Sequence, residues 1–213
     1  YVGEWRDGRI AGRGEVTYPD GSVYVGNFRD DLAHGRGTIT YPDGSSYEGE
    51  WDAGVIQGTG IARYANGLVY EGEFLNGRQH GQGVMSHPDG YRYEGEWEDG
   101  LRHGQGVATY ADGTVYEGGF VAGQREGEGT LRMPDGFTYT GEWAGGEING
   151  MGGGTYSNGD VYEGMFVNGR RQGEGVMRYA SGEVLETEWE DGLPLEDAGA
   201  AAAEADGAAP TDG

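Results

Sequence analysis

The sequence predicts an all-β protein: an elongated, single-layer antiparallel β-meander, a solenoid of eight hairpin repeats of equal length. Three observations predict it. A tyrosine recurs every 23 residues, at Tyr1, Tyr24, Tyr47, Tyr70, Tyr93, Tyr116, Tyr139 and Tyr162, with no insertion or deletion. Glycine supplies 47 of the 213 residues and falls in fixed columns of that period. Between the columns, short alternating runs are separated by Asn-Gly, Asp-Gly and Pro-Asp-Gly, which are turn sequences. A fixed period of this length marks a repeat architecture in which each copy is one supersecondary unit.

The unit is read most clearly in the fifth copy, YEGEWEDGLRHGQGVATYADGTV, from Tyr93 to Val115. Its first strand covers repeat positions 1–6. Period-two alternation puts Tyr93, Gly95 and Trp97 on one face and Glu94, Glu96 and Glu98 on the other. Asp99-Gly100 opens a turn, because both residue types tolerate positive φ. A second strand runs from about Gly104 to Tyr110 and ends at a second turn, written Pro19-Asp20-Gly21 or Pro134-Asp135-Gly136 in other copies. A four-residue loop at positions 7–10 pairs Trp97 with Gly104, Gly95 with Gly106 and Tyr93 with Ala108; a two-residue loop shifts the pairs but keeps the face. A three-residue second loop, a type I turn closed by a left-handed glycine, pairs Ala108 with Tyr116.

The glycine columns (Gly49, Gly72, Gly95 and Gly118 at the third position, Gly104 and Gly106 at the twelfth and fourteenth) flank an aromatic column. That column alternates: Trp5, Phe28, Trp51, Phe74, Trp97, Phe120, Trp143, Phe166, then Trp189, which suggests a 46-residue superunit. A large ring can lie over bare backbone only where Cβ atoms are missing, so each Trp or Phe is expected to cover its glycines. Strands ~4.8 Å apart advance ~10 Å per repeat, which gives a rod of roughly 75–80 Å. With one layer and no closed core, the ring face is expected to form a long, partly open groove.

Residues 185–195 read as a degenerate ninth unit that caps the array, with Glu186, Glu188 and Glu190 charging an edge strand and Pro194 stopping it. Residues 196–213 are rich in Ala, Gly and acids, and are expected to be disordered. The chain begins inside a repeat at Tyr1, which predicts residues upstream and leaves the first strand open to pair with a cap or a second copy.

The formal net charge is -23, from 37 acidic and 14 basic residues, all of the latter Arg. Such a surface repels nucleic acid and anionic headgroups and suits a cationic partner. No Cys is present, so disulfides are excluded, and no apolar run has transmembrane length.

Catalytic and metal patterns are weak. His34, His80 and His103 share the eleventh position; neighbours there lie ~10 Å apart, too far for common ligation of one ion. His87 replaces a tyrosine and is expected to stack. Glu residues at the second and fourth positions lie ~6.8 Å apart along a strand, a separation compatible with paired acid–base carboxylates. The pair recurs in unit after unit, and a repeated ladder offers no single pocket to split two pKa values, so a solvated acidic face is expected. Asp20, Asp43, Asp89, Asp112 and Asp135 precede turn glycines, which turn chemistry explains without calcium. No phosphate loop and no G-x-S-x-G elbow occurs. The residues predict no metal and no cofactor.

The pattern Y-x-G-x-W/F-x-x-G-x-x-x-G-x-G, repeated through residues 1–184, resembles the MORN (membrane occupation and recognition nexus) repeat family. Asp31 departs from it where an eighth-position Gly is usual, and the ninth unit departs at Leu185, Thr187 and Glu196. The resemblance implies a non-catalytic scaffold that holds a helix or extended peptide, with dimerisation and assembly as further roles of such proteins. A basic or amphipathic helix would suit the charge. The expected contact residues are Trp51, Phe74, Trp97, Phe120, Trp143, Tyr70, Tyr93 and Tyr116. The family name also implies phospholipid association, which needs basic clusters; here Arg170-Arg171 is the one adjacent pair. Some relatives attach such repeats to an enzyme, and a catalytic domain upstream of Tyr1 is the alternative that this implies. The residues do not specify a compartment.

Overall fold

A computed structural model describes residues 1–195. The chain divides into two units, Tyr1–Gly104 and the segment from Gln105 onward. The described residues form 18 strands and no helix. Inside each unit the strands are antiparallel, and successive strands pair with one another. The expectation for 196–213 lies outside the described residues.

Each repeat after the first contributes a seven-residue strand and a nine-residue strand, as in Thr138–Ala144 and Glu147–Thr155. The turn between them is two residues, not four. Asp99 and Gly100 both take positive φ (49° and 85°), as do Asn168 and Gly169 (50° and 75°). Two successive positive φ values define the type I′ turn, whose twist matches that of the flanking strands. The fifth-position ring therefore faces the tenth residue of its own hairpin: Trp143 faces Ile148, and Phe120 faces Arg125. The twelfth-position glycine faces the ring of the following hairpin instead, as Gly127 faces Trp143 and Gly81 faces Trp97. The pairing of Trp97 with Gly104 expected inside one hairpin is corrected accordingly.

The difference is taken up by a bulge. Gly141 pairs with Gly152 and Trp143 with Ile148, so Glu142 alone stands against Asn149, Gly150 and Met151. The twelfth-position glycine lies in the bulge with positive φ, for example +71° at Gly12, Gly35 and Gly58. The column is fixed by backbone conformation, since a side chain with Cβ is strained there. A bulge bends its strand and increases twist. Beyond it the expected register holds, with Gly118 opposite Gly129 and Tyr116 opposite Leu131.

The turn between hairpins has three residues, as expected. Tyr156 donates its N–H to Asp160 O at 2.8 Å across Ser157–Gly159, and Gly159 has φ +90°. Leu131 then pairs with Tyr139. Asp20 accepts the Ser22 amide at 2.9 Å and its hydroxyl at 2.6 Å, which holds its carboxyl below the usual range. Successive type I′ turns are also stitched together. The eighth-position N–H donates to the tenth-position carbonyl one repeat earlier, as Gly169 does to Ile148 at 2.9 Å and Gly54 to Ala33 at 2.8 Å.

Residues 185–195 continue the pattern. Strand Val184–Glu190 pairs with Arg170–Arg178 and then, through Asp191-Gly192, with Leu193–Pro194. Trp189 is buried there against Tyr162, with ring centroids 5.4 Å apart.

Candidate functional site: the groove behind the aromatic core

The aromatic columns form the core. Tyr70, Tyr93, Tyr116 and Tyr139 are fully buried, and Trp51, Phe74, Trp97, Phe120 and Trp143 are between 2% and 8% exposed. Inside each unit the tyrosines stand edge-on between two rings. Tyr47 lies 5.6 Å from Trp51 of its own repeat and 5.0 Å from Phe74 of the next; Tyr116 lies 5.2 Å from Phe120 and 5.0 Å from Trp143. T-shaped contacts at this spacing suit the ring quadrupoles and add to the area they bury. The eight rings expected to line an open groove therefore face one another. The physical reason is the bulge, which bends each strand around its rings.

It is also the tyrosine, and not the Trp or Phe, that lies over the bare backbone. A Cβ built on Gly37 would meet Tyr24 Oη at 2.2 Å, and one on Gly152 would meet Tyr139 Oη at 2.3 Å. The hydroxyl reaches past the glycines and donates to the fourth-position carbonyl: Tyr24 to Asn27 O at 3.0 Å, Tyr70 to Glu73 O at 2.9 Å, Tyr93 to Glu96 O and Tyr116 to Gly119 O at 3.0 Å. Burial raises these hydroxyls, to about 12 in Tyr24, Tyr47, Tyr93, Tyr116 and Tyr162 and further in Tyr70 and Tyr139. Each Trp from Trp51 onward donates its indole N–H to a fourteenth-position glycine carbonyl of the preceding repeat, at 3.2 Å for Trp51 to Gly37, Trp97 to Gly83 and Trp143 to Gly129, and at 3.4 Å for Trp189 to Gly175. The second unit adds cations to this core: Arg125 lies 4.4 Å from the Trp143 ring and Arg171 4.1 Å from Trp189.

The fourth-position glutamates are not simply a solvated face. Glu142 accepts the Met151 amide at 2.7 Å, Glu73 the Gln82 amide at 3.0 Å and Glu4 the Arg13 amide at 3.1 Å. These amides follow the bulge glycine, where the ladder is interrupted. The signal was present in the sequence, because Gly at position 12 is invariant while the ring above it varies, which fits a φ requirement better than a space requirement.

The histidines do not converge. His34 Nδ1 lies 3.1 Å from Asp52 Oδ1 and His103 Nδ1 3.3 Å from Glu98 Oε2. His87, expected to stack, lies 2.9 Å from Asp89 Oδ1 at its turn. Among the described residues no group of His, Asp and Glu is placed to hold a metal ion. No helix among them is long and apolar enough to cross a membrane.

A concave feature lies on the opposite side of the sheet, in the first unit. A groove of about 950 Å³ crosses seven consecutive strands, from Val2–Arg6 to Val69–Leu75. Its floor is the glycine row Gly3, Gly14, Gly26, Gly37, Gly49, Gly60 and Gly72, the reverse of the backbone that the tyrosines cover. One wall carries second- and fifteenth-position side chains, among them Val25, Thr38, Glu48, Ile61 and Glu71. The other carries Arg13, Asn27, Arg36 and Thr59. Sequence reading missed this groove because it treated the Gly row only as seats for rings. The same missing Cβ atoms leave both sides of the row bare.

Bent hairpins stacked on a shared ring core, stitched turn to turn, define a β-hairpin repeat protein. The chain belongs to the MORN repeat family, whose model matches residues 1–23, 24–46, 47–69, 70–90, 93–115, 116–138, 139–161 and 162–184. Among solved structures it is similar to the G-box domain of the microcephaly protein CPAP, at 14% identity and TM-score 0.46, over 84% of this chain and 100% of that one. It is also similar to the SAS-4 (dCPAP) TCP domain of Drosophila melanogaster in complex with a proline-rich motif of Ana2, at 11% identity and TM-score 0.37, over 84% and 90%. No curated protein sequence matches the chain.

Proposed function

We propose that the chain is a non-catalytic protein-binding scaffold and that its binding surface is the glycine-floored groove of the first unit. One observation carries this reading: the groove offers exposed apolar side chains, Val2 at 79% and Val25 at 51%, beside exposed charges, while the aromatic columns are buried from Tyr24 onward. The bare glycine floor lets a partner backbone approach closely. The rings serve by holding the wall geometry fixed, which lowers the ordering cost of binding.

A photo-crosslinking residue placed at position 25, 38 or 61 should capture a protein partner, and one placed at Asn66 in a turn should not. The double substitution Val25→Asp with Ile61→Asp should abolish capture. Equal capture from the turn position, or capture unaffected by the double substitution, would overturn the assignment of the groove.

A further inference from the structure

The groove is charged in two blocks. Its first two repeats present Arg13 and Arg36 on one wall; the next two present Glu48 and Glu71 on the other. Glu15 also lines the first half and leaves it at net +1, against -2 in the second. Arg36 pairs with Glu50 at 4.0 Å with 82% of its side chain exposed, and Glu4 accepts the Arg13 amide at 3.1 Å; among the described residues the side chains of Arg13, Glu48 and Glu71 form no ion pair. The wall that bears Glu48 and Glu71 runs Glu15, Val25, Thr38, Glu48, Ile61 and Glu71 from strand to strand, so one apolar side chain, Val25 or Ile61, lies within each half.

The geometry points to a peptide segment of segregated charge as the occupant: acidic residues at one end, over Arg13 and Arg36, basic residues at the other, over Glu48 and Glu71, with apolar residues in each half to meet Val25 and Ile61. This rests on the groove being the binding surface and adds what it selects. Seven strands span six intervals of ~4.8 Å, or ~29 Å, which fits a helix of ~19 residues or an extended stretch of ~9. The net charge of the chain attracts basic segments in general. The bipolar groove sorts among them, because a uniformly basic segment places like charge against Arg13 and Arg36, while a segregated one is complementary along its length and is fixed in one orientation.

The test is selection of a displayed random library of 20-residue peptides on the intact chain, followed by fluorescence-anisotropy titration of the enriched peptides. Two variants, R13E/R36E and E48R/E71R, are titrated in parallel after confirming unchanged unfolding midpoints. The expected result is peptides with acids in one half and bases in the other, each losing at least tenfold in affinity on either variant. If the enriched peptides are uniformly basic, weakened by E48R/E71R but tightened by R13E/R36E, the bipolar inference fails and the groove reading stands. If binding is indifferent to both variants, both fail.

Discussion

Glu142 Oε2 accepts the backbone N–H of Met151 at 2.7 Å, across a bulge in which Gly150 holds φ at +118°. A Cβ on Gly150 would meet that same oxygen at 2.0 Å. The acid and the glycine are thus one device: the glycine permits the bend, and the acid satisfies the amide that the bend withdraws from the ladder. Glu142→Ala should cost about 1–2 kcal/mol, and Glu142→Gln less, since the amide oxygen can still accept. Urea unfolding with an unchanged slope checks this; equal stability of all three chains would show that water replaces the carboxylate.

The tyrosine seat gives a sharper, non-additive expectation. Gly37→Ala drives a methyl into Tyr24, whose Oη and ring atoms would lie 2.2–2.5 Å away. It should cost about 3 kcal/mol, as overpacking without room to relax does. Tyr24→Phe loses the bond to Asn27 O and should cost about 1–2 kcal/mol. The double mutant should cost less than the sum, because removing the hydroxyl relieves the closest contact. Simple additivity in denaturant titration would place the glycine requirement elsewhere.

Which features were legible follows from what each residue encodes. The hairpin, the glycine row, the inter-hairpin turn and the Leu131–Tyr139 type of pairing are local or parity-bound, and a period-two pattern with Pro-Asp-Gly specifies them. The bulge was not legible in the alternation, and only the invariant glycine at position 12 marks it. It leaves parity intact on both sides, so alternation alone cannot distinguish a four-residue loop from a two-residue turn followed by a bulge. Missing the bulge meant missing the bend, and without it Trp97 and Tyr93 read as an open face when they are a core. The groove was hidden for the same reason, since the walls that carry Arg13 and Glu48 enclose a concavity that a flat sheet lacks.

Alkali should expose the burial of the tyrosine ladder. Burial lifts the hydroxyls of Tyr24, Tyr47, Tyr93, Tyr116 and Tyr162 from 10.0 to about 12 in the folded chain. A raised folded value means that the folded state holds the proton more tightly than the unfolded one. Stability is then fully present below pH 10, falls as pH rises toward 12, and is lost above it. Absorbance at the tyrosinate band should rise later in the native chain than in urea, and together with loss of the β-sheet circular dichroism signal. Superimposable titrations in the two states would contradict the burial.

Asp31 occupies a position where the other repeats carry glycine, with φ +67°. Its carboxylate accepts the Ile10 amide at 2.7 Å while its own N–H donates to Ile10 O at 3.1 Å. The side chain thereby adds a second stitch between the first two repeats that glycine cannot make. Asp31→Gly exchanges that bond for relief of left-handed strain and should be neutral to within about 0.5 kcal/mol. Asp31→Ala loses the bond and keeps the strain, and should cost about 1–2 kcal/mol. Thermal unfolding that ranks Ala above Gly would remove the reason for the exception.

The Trp–Phe alternation acquires a physical content from its donors. Trp143 gives its indole N–H to Gly129 O at 3.2 Å and lies under Arg125 at 4.4 Å. Phe166, at the same position one repeat later, has no donor to offer and is still 1% exposed. Trp143→Phe should therefore cost more than the lost area: about 1 kcal/mol for the bond and about 0.5–1 for the weaker cation–π contact. Adding Arg125→Leu to Trp143→Phe should recover part of the loss, because the guanidinium would no longer be held in the core beside a weaker partner. A Trp143→Phe chain as stable as the parent would mean that the alternation records descent from a duplicated pair of repeats and carries no energetic weight.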